Sequence, residues 1–206
     1  VDIERGQFAD VKPYSWQTDT AVALNSWCYT ENNDYRSAAD LICDLVDIVS
    51  KNGNLLLNIG PKADGTIPWE DEKILLEIGQ WLGQNGEAIY VSHVWRTYGE
   101  GPTKVIEGAF SDGIKKEFTP QDVRYTCKGD SVYAIALRCA PNGVFCFPAL
   151  GEQDVSKGSV FHGIIESVEV LGFSESCDWY RDEEGLHVRV SGVMSDKPVV
   201  FRVKMV

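Results

Sequence analysis

The sequence predicts an α/β region, the carboxyl-terminal part of a (β/α)8-like barrel, followed by an antiparallel β-sandwich domain. Two observations carry this prediction. Before residue 100, a short continuous apolar run lies between two segments with helical spacing of apolar residues. In the last part of the chain, apolar and polar residues alternate instead, as in strands with one buried face. We therefore expect barrel structure over residues 1–100 and sandwich structure over residues 101–206.

The first predicted helix covers the segment from Ser37 to Lys51. Ser37 and Asp40 have the spacing of a capping box, in which two side chains satisfy free backbone groups at a helix start. Asn52 and Gly53 are typical of a helix end. The apolar residues with helical spacing are Leu41, Ile42, Leu45, Val46, Ile48 and Val49.

The apolar run that follows predicts a buried parallel strand. It extends from Asn54 to Ile59 without alternation, and Gly60 and Pro61 end it. A second helix is expected from Pro68, with Gly86 as its end. One clear strand and about 100 residues fall short of the eight strands and roughly 250 residues of a complete barrel, so we expect further strands upstream. The first four residues fit the end of one such strand.

The second half predicts several antiparallel strands. Alternation marks segments near residues 186–190 and 201–205, and shorter candidates cover residues 131–138, 144–147 and 167–171. Turns are expected at residues 141–143 and 183–185. A β-sandwich is the simplest arrangement of these strands. The glycine-rich stretch Tyr98 to Gly113 is interpreted as a linker or a surface excursion.

Composition excludes several function classes. The formal charge of -12 would repel nucleic acid, and no apolar stretch is long enough to cross a membrane. The six cysteines lack a CxxC pair and only three histidines accompany them, so we expect no metal site and no cofactor. We favour buried free thiols over disulfides. His93, His162 and His187 lack spaced partners and are interpreted as ordinary residues.

Carboxylates beside aromatic residues near the amino terminus suggest sugar chemistry. Glu4 follows the apolar residues Val1 and Ile3 and precedes Arg5. Trp16, Asp19 and Trp27 lie downstream. Aromatic faces pack on the apolar face of a pyranose, and a carboxylic acid can protonate a glycosidic oxygen. The alternative from the residues alone is that Glu4 and Arg5 form a solvated ion pair and that the tryptophans belong to the core.

Four distinctive motifs occur before residue 100, namely Gly53 to Pro61 (GNLLLNIGP), Asp64 to Pro68 (DGTIP), Asn85 to Tyr90 (NGEAIY) and Ser26 to Tyr29 (SWCY). They resemble motifs of the glycoside hydrolase family that contains the α-L-fucosidases. The resemblance covers nearly the whole chain and is most specific before residue 100. Downstream, Asp122 to Thr126 and Ala134-Ile135 resemble the carboxyl-terminal β-domain of that family.

The resemblance implies a retaining exo-α-L-fucosidase, in which Glu4 is the general acid/base and Trp27 binds the fucose ring. Asp2 and Glu31 are the alternatives to Glu4. The family's nucleophile is an aspartate on an earlier barrel strand, which no residue here matches, so we expect the chain alone to be inactive. The alternative function is a non-catalytic carbohydrate-binding or structural module of a glycosidase.

The partners implied are fucosylated oligosaccharides or glycoprotein glycans, together with an upstream barrel half on the same or a separate chain. No nucleic acid and no membrane are expected as partners, and an oligomer is left open. A secreted, periplasmic or lysosomal-type compartment is compatible with this interpretation.

Overall fold

A three-stranded parallel sheet with helices on one face forms the first part of the protein. The computed structural model describes residues 1–114, 116–152 and 163–206, so His162 lies outside the described residues. The strands are β1 (Ile3–Glu4), β2 (Trp16–Ala21) and β3 (Gly53–Asn58), in the order β1-β2-β3, and the helices are α1 (Ala38–Ser50) and α2 (Trp69–Asn85). A short 3-10 turn, Gly86–Ala88, follows α2.

Local signals placed both helices correctly. Ser37 caps α1, and its hydroxyl accepts the Asp40 backbone N–H at 3.1 Å. Asn52 adopts a φ of 72° just after the helix, the left-handed conformation that asparagine tolerates better than most residues. The residue at the end of α2 is Gly86, as expected. These features depend on neighbours in sequence, which explains why the sequence was sufficient to find them.

The prediction of a parallel strand at β3 is confirmed, but the prediction that both of its faces are buried is wrong. Leu55 and Leu57 line an apolar cavity together with residues of α1 and α2. Leu56 points to the opposite face and is 52% exposed. The two helices cover one face only, and the described residues leave the other face open. Strand β2 was not predicted because its sequence, WQTDTA, is largely polar.

An antiparallel β-sandwich forms the second part, as predicted. One sheet has the strand order β4-β5-β6-β11-β8 and the other has the order β7-β10-β9. Phe145, Phe147 and Phe201 pack together between the two sheets. The strands are β4 (His93–Glu100), β5 (Val123–Lys128), β6 (Ser131–Ala136), β7 (Val144–Phe147), β8 (Ile165–Val170), β9 (Asp178–Arg181), β10 (Leu186–Arg189) and β11 (Val199–Met205).

The two parts share a core. Helices α1 and α2 pack against the outer face of the larger sheet, through Tyr133, Ile135 and Val200. Strand β4 pairs with β5, so this sheet begins at His93, and the division of the chain at residue 100 stays a prediction. No helix in the described part of the chain is both long and apolar enough to cross a membrane.

The glycine-rich stretch after β4 is a surface excursion that returns to the amino-terminal residues. The Gly108 backbone N–H donates to the Gln7 carbonyl at 3.3 Å, and the Phe110 N–H donates to the Glu4 carbonyl at 2.9 Å. Gly6 permits this approach, because a Cβ at that position would lie 1.8 Å from the Gly108 carbonyl oxygen. Residues 101–113, hereafter the excursion, therefore border the end of β1.

Candidate active site

The candidate acid/base, Glu4, lies at the carboxyl-terminal end of the parallel strand β1. Glu4 is the last residue of β1 and pairs in register with Asp19 of β2, which in turn pairs with Leu56 of β3. Residues paired across strands project to the same face, so all three face away from the helices. Glu4 is exposed. Within the described residues its carboxylate has neither an ion pair nor a side-chain hydrogen bond.

Arg5 turns the chain at the end of β1. Its φ is 48°, an uncommon conformation for a residue with a side chain. The backbone N–H of Arg5 donates to the carbonyl and to Oδ1 of Asp19, both at 3.1 Å. Its buried guanidinium pairs with Asp112 through Nε at 3.0 Å. The interpretation of Glu4 and Arg5 as a surface ion pair is therefore wrong, because the arginine is committed elsewhere.

Trp27 lies in the loop between β2 and α1, at the same end of the sheet. Its backbone carbonyl accepts a hydrogen bond from Asn58 Nδ2 at 2.8 Å. Asn58, the last residue of β3, therefore supports the loop that carries Trp27. The half-exposed indole of Trp27 lies 4.8 Å, centroid to Cζ, from the Arg5 guanidinium. Arg5 thus links the two candidates, because it directly follows Glu4 in sequence and its guanidinium contacts the Trp27 ring.

The other singled-out residues have different surroundings. Trp16 is buried, and its indole N–H donates to the Lys51 carbonyl at 2.9 Å, so the core interpretation is confirmed for this tryptophan. Asp2 Oδ2 accepts the Gln17 backbone N–H at 2.8 Å. Glu31 is exposed in the loop that carries Trp27. All six cysteines are free, as expected, but only Cys43 is buried: Cys28 is exposed and the other four are half-buried, contrary to the expectation of buried thiols.

Asp112 and Thr20 belong to the site but gave no signal in the sequence. Both Arg5 Nε and the Thr20 hydroxyl donate to Asp112 Oδ2, at 3.0 and 2.5 Å. Asp112 lies far from both residues along the chain, on the excursion. No motif marks it, and only the fold brings it to the end of β1.

A charged cavity of about 250 Å³ borders the excursion at Asp112 and Gly113. Its lining includes Asp44 of α1, which pairs with Arg36 and with Lys116, the latter at 2.7 Å. Burial raises the pKa of Asp44, but the two cations outweigh it and lower that pKa below its ordinary value. Asp44 is therefore a structural anion rather than a proton donor. The described residues include no cluster of three or more groups able to hold a metal ion.

Known proteins with similar sequences and structures are α-L-fucosidases. A family model described as alpha-L-fucosidase matches residues 1–87. Human tissue alpha-L-fucosidase is 38% identical over 179 residues, which cover 85% of this chain and 33% of that protein. Human plasma alpha-L-fucosidase is 32% identical over 191 residues, covering 90% of this chain and 34% of that protein. The chain spans about a third of the length of these curated relatives.

A solved structure agrees. The Thermotoga maritima alpha-fucosidase in complex with fucose has a TM-score of 0.70 and 26% sequence identity, over 96% of this chain and 41% of that one. The similarity thus extends through both the parallel sheet and the sandwich. The chain belongs to the α-L-fucosidase family and corresponds to the carboxyl-terminal part of its members.

Proposed function

We propose that this chain supplies the acid/base part of an exo-acting α-L-fucosidase that removes terminal α-L-fucose from oligosaccharides or glycoconjugates. The observation that carries the proposal is Glu4, an exposed carboxylate without a partner among the described residues, at the carboxyl-terminal end of a parallel strand. Barrel enzymes place their chemistry at this end of the sheet. Family membership gives the reaction class that this position would serve.

The mechanism is a retaining double displacement. Glu4 protonates the glycosidic oxygen as an aspartate attacks the anomeric carbon, which gives a covalent fucosyl-enzyme. Glu4 then takes a proton from water, which attacks the same carbon and releases fucose. Asp2 is less suited to this role, because its carboxylate already accepts a backbone hydrogen bond at the start of β2. Trp27 packs its indole on the apolar face of the fucose ring.

The nucleophile belongs to a barrel segment outside these 206 residues. Two carboxyl groups about 5 to 5.5 Å apart are needed for the retaining reaction. Asp19 neighbours Glu4, but its Oδ1 is engaged by the Arg5 backbone N–H. The open sheet face, where Leu56 is 52% exposed, would become the interior of the barrel once further strands pair with the edges of the sheet. We therefore expect no turnover of a nitrophenyl fucoside by the 206-residue chain alone.

The experiment is a Glu4→Gln substitution in the complete assembly, meaning this chain together with the upstream barrel half, whether that half is on the same or a separate chain. We expect a large loss of activity, of the order of 10²-fold or more, toward natural glycosides with poor leaving groups. Activated nitrophenyl fucosides should lose less, since they need no protonation of the leaving group. Azide should restore turnover of the activated substrate and give fucosyl azide.

Asp2→Asn and Glu31→Gln are the matched controls, because each also neutralises an exposed carboxylate near the site. Both should leave the dependence on leaving group unchanged. If Glu4→Gln behaves like these controls, Glu4 is not the acid/base. If the unsubstituted assembly binds fucosylated glycans without cleaving them, the binding-module alternative is supported instead.

A further inference from the structure

We propose that Arg5 is a positioning residue that fixes the indole of Trp27 beside Glu4, and that Asp112 holds Arg5 in place. This inference rests on the proposed function of Glu4 and Trp27. It assigns a role to two residues, one on each side of the site, that neither sequence motifs nor composition singled out for chemistry.

The guanidinium of Arg5, at the end of β1, contacts two other segments, the loop after β2 and the excursion. Nε donates to Asp112 Oδ2 at 3.0 Å, and Nη2 donates to the carbonyls of Ala23 and Leu24 at 3.2 and 2.8 Å. Its Cζ lies 4.8 Å from the centroid of the Trp27 ring. The side chains of Arg5 and Asp112 are only 9% and 8% exposed. The cation therefore ties together the end of β1, the loop after β2 and the excursion.

This arrangement requires an arginine. Its planar fork can donate in the plane to a carboxylate and to carbonyls while its face or edge meets an aromatic ring. A lysine carries a single ammonium and cannot reach the same acceptors together with the ring. Contacts between a cation and an aromatic ring strengthen when the cation is shielded from water, and the Arg5 side chain is only 9% exposed although the Trp27 indole is half-exposed.

Asp112 anchors the arginine from a distant part of the sequence. Its Oδ2 also accepts the Thr20 hydroxyl at 2.5 Å, and its backbone N–H donates to the Arg5 carbonyl at 2.9 Å. The aspartate thus fixes both the backbone and the side chain of Arg5 relative to β2. Because Glu4 precedes Arg5 directly, the same network also restrains the backbone next to the acid/base.

The consequence for the substrate concerns the sugar ring. An indole held at a fixed angle presents one face to the apolar side of a deoxy sugar. In fucose, the methyl group adds to the apolar surface that the indole can contact. Misplacement of a binding group weakens binding and the alignment of the scissile bond with the acid. We therefore expect Arg5 to affect the KM for fucosides more than the leaving-group dependence, which belongs to Glu4.

The first test is spectroscopic and needs no activity. In the complete assembly labelled with ¹⁵N-tryptophan, the indole signal that Trp27→Phe removes is assigned to Trp27. Arg5→Lys should shift that signal, and Asp112→Asn should shift it in the same direction. Arg96→Lys is the matched control, because Arg96 also lies over a tryptophan, Trp95, at 5.5 Å in the sandwich. It should leave the Trp27 signal unchanged.

The second test is kinetic. Arg5→Lys should raise the KM for a nitrophenyl fucoside about tenfold, with a smaller change in kcat. In a Trp27→Ala background the same substitution should change KM by less than about twofold, because the group that it positions is already absent. Arg96→Lys should leave both constants unchanged.

Two results would overturn the inference. One is an unshifted Trp27 signal in both Arg5→Lys and Asp112→Asn. The other is an equal effect of Arg5→Lys on KM with and without Trp27, which would indicate a purely structural arginine. An assembly that does not cleave fucosides contradicts the proposed function instead, and the spectroscopic test still decides whether Arg5 positions Trp27.

Discussion

Asp47 is the residue whose charge we expect to matter most for stability. It accepts from Lys51 Nζ at 2.7 Å and from Arg124 Nε at 2.5 Å. The side chains of Asp47 and Lys51 are 0% exposed and that of Arg124 is 4% exposed. Asp47→Asn preserves the shape but leaves two buried cations without their anion. Burial lowers the pKa of Lys51, although the attraction of Asp47 opposes this shift.

The expected cost follows from that uncompensated charge. Removing one partner from a buried ion pair costs about 3–5 kcal/mol. Backbone carbonyls remain as acceptors, namely Phe8 O for Lys51 at 3.1 Å and Val123 O for Arg124 at 2.9 Å. They keep the two cations hydrogen-bonded, so we do not expect a larger value. For a chain of this size the loss corresponds to a decrease in Tm of roughly 10 °C.

Urea unfolding followed by circular dichroism measures this loss directly. Glu169→Gln is the matched control, since it removes the carboxylate that pairs with Arg202 at 2.5 Å on the surface. Exposed pairs contribute about 0–1 kcal/mol, so the control should change the free energy of unfolding little. If the two substitutions cost the same, the reasoning that burial makes the Asp47 network essential is refuted.

Four further predictions concern stability. Gly6→Ala should detach the excursion and destabilise the protein by more than about 1 kcal/mol, because its Cβ would lie 1.8 Å from the Gly108 carbonyl oxygen. Gly83→Ala meets nothing within 4 Å on α2 and should stabilise by up to about 1 kcal/mol, as thermal unfolding would show. The stability that Asp44 contributes is present above its ordinary pKa and is lost as pH falls through its lowered folded-state pKa. In the Asp44→Asn variant, the free energy of unfolding should therefore fall less steeply as the solution is acidified. Burial raises the pKa of Glu100 despite two hydrogen bonds to its carboxyl group. The contribution of Glu100 to stability is therefore lost as pH rises from its ordinary pKa through its raised folded-state pKa. Glu100→Gln should abolish that loss when the free energy of unfolding is measured by urea titration at several pH values.

Much of the fold could be predicted because its signals are local. The cap at Ser37, the left-handed Asn52 and the end of α2 at Gly86 depend on a few neighbouring residues. The alternation in β10 and β11 reflects one buried face, and the structure has these strands where the pattern predicts them. Strand β2 was not predicted because its buried residues Thr18 and Thr20 are polar and satisfy their hydroxyls by hydrogen bonds, so the strand lacks an apolar pattern.

The candidate site divides in the same way. Glu4 and Trp27 were chosen from the sequence through a family resemblance, and their proposed roles stay predictions. The hydrogen bond from Asn58 to the Trp27 carbonyl joins β3 to the loop after β2, a contact that only the fold reveals. The sequence suggested an ion pair between Glu4 and Arg5, but sequence neighbours at a strand end need not face each other once the backbone turns at a φ of 48°.

The sequence by itself determined the family, the two kinds of structure and the positions of those elements that local patterns mark. These follow from hydrophobic period, capping residues and motifs, all of which are properties of short segments. Only the tertiary structure decided that Asp112 of the excursion meets Arg5 at the end of β1 and that Arg5 contacts Trp27. Such contacts join residues far apart in the chain, so no local pattern encodes them. They arise because a glycine at position 6 lets two backbones approach closely enough to bury one ion pair.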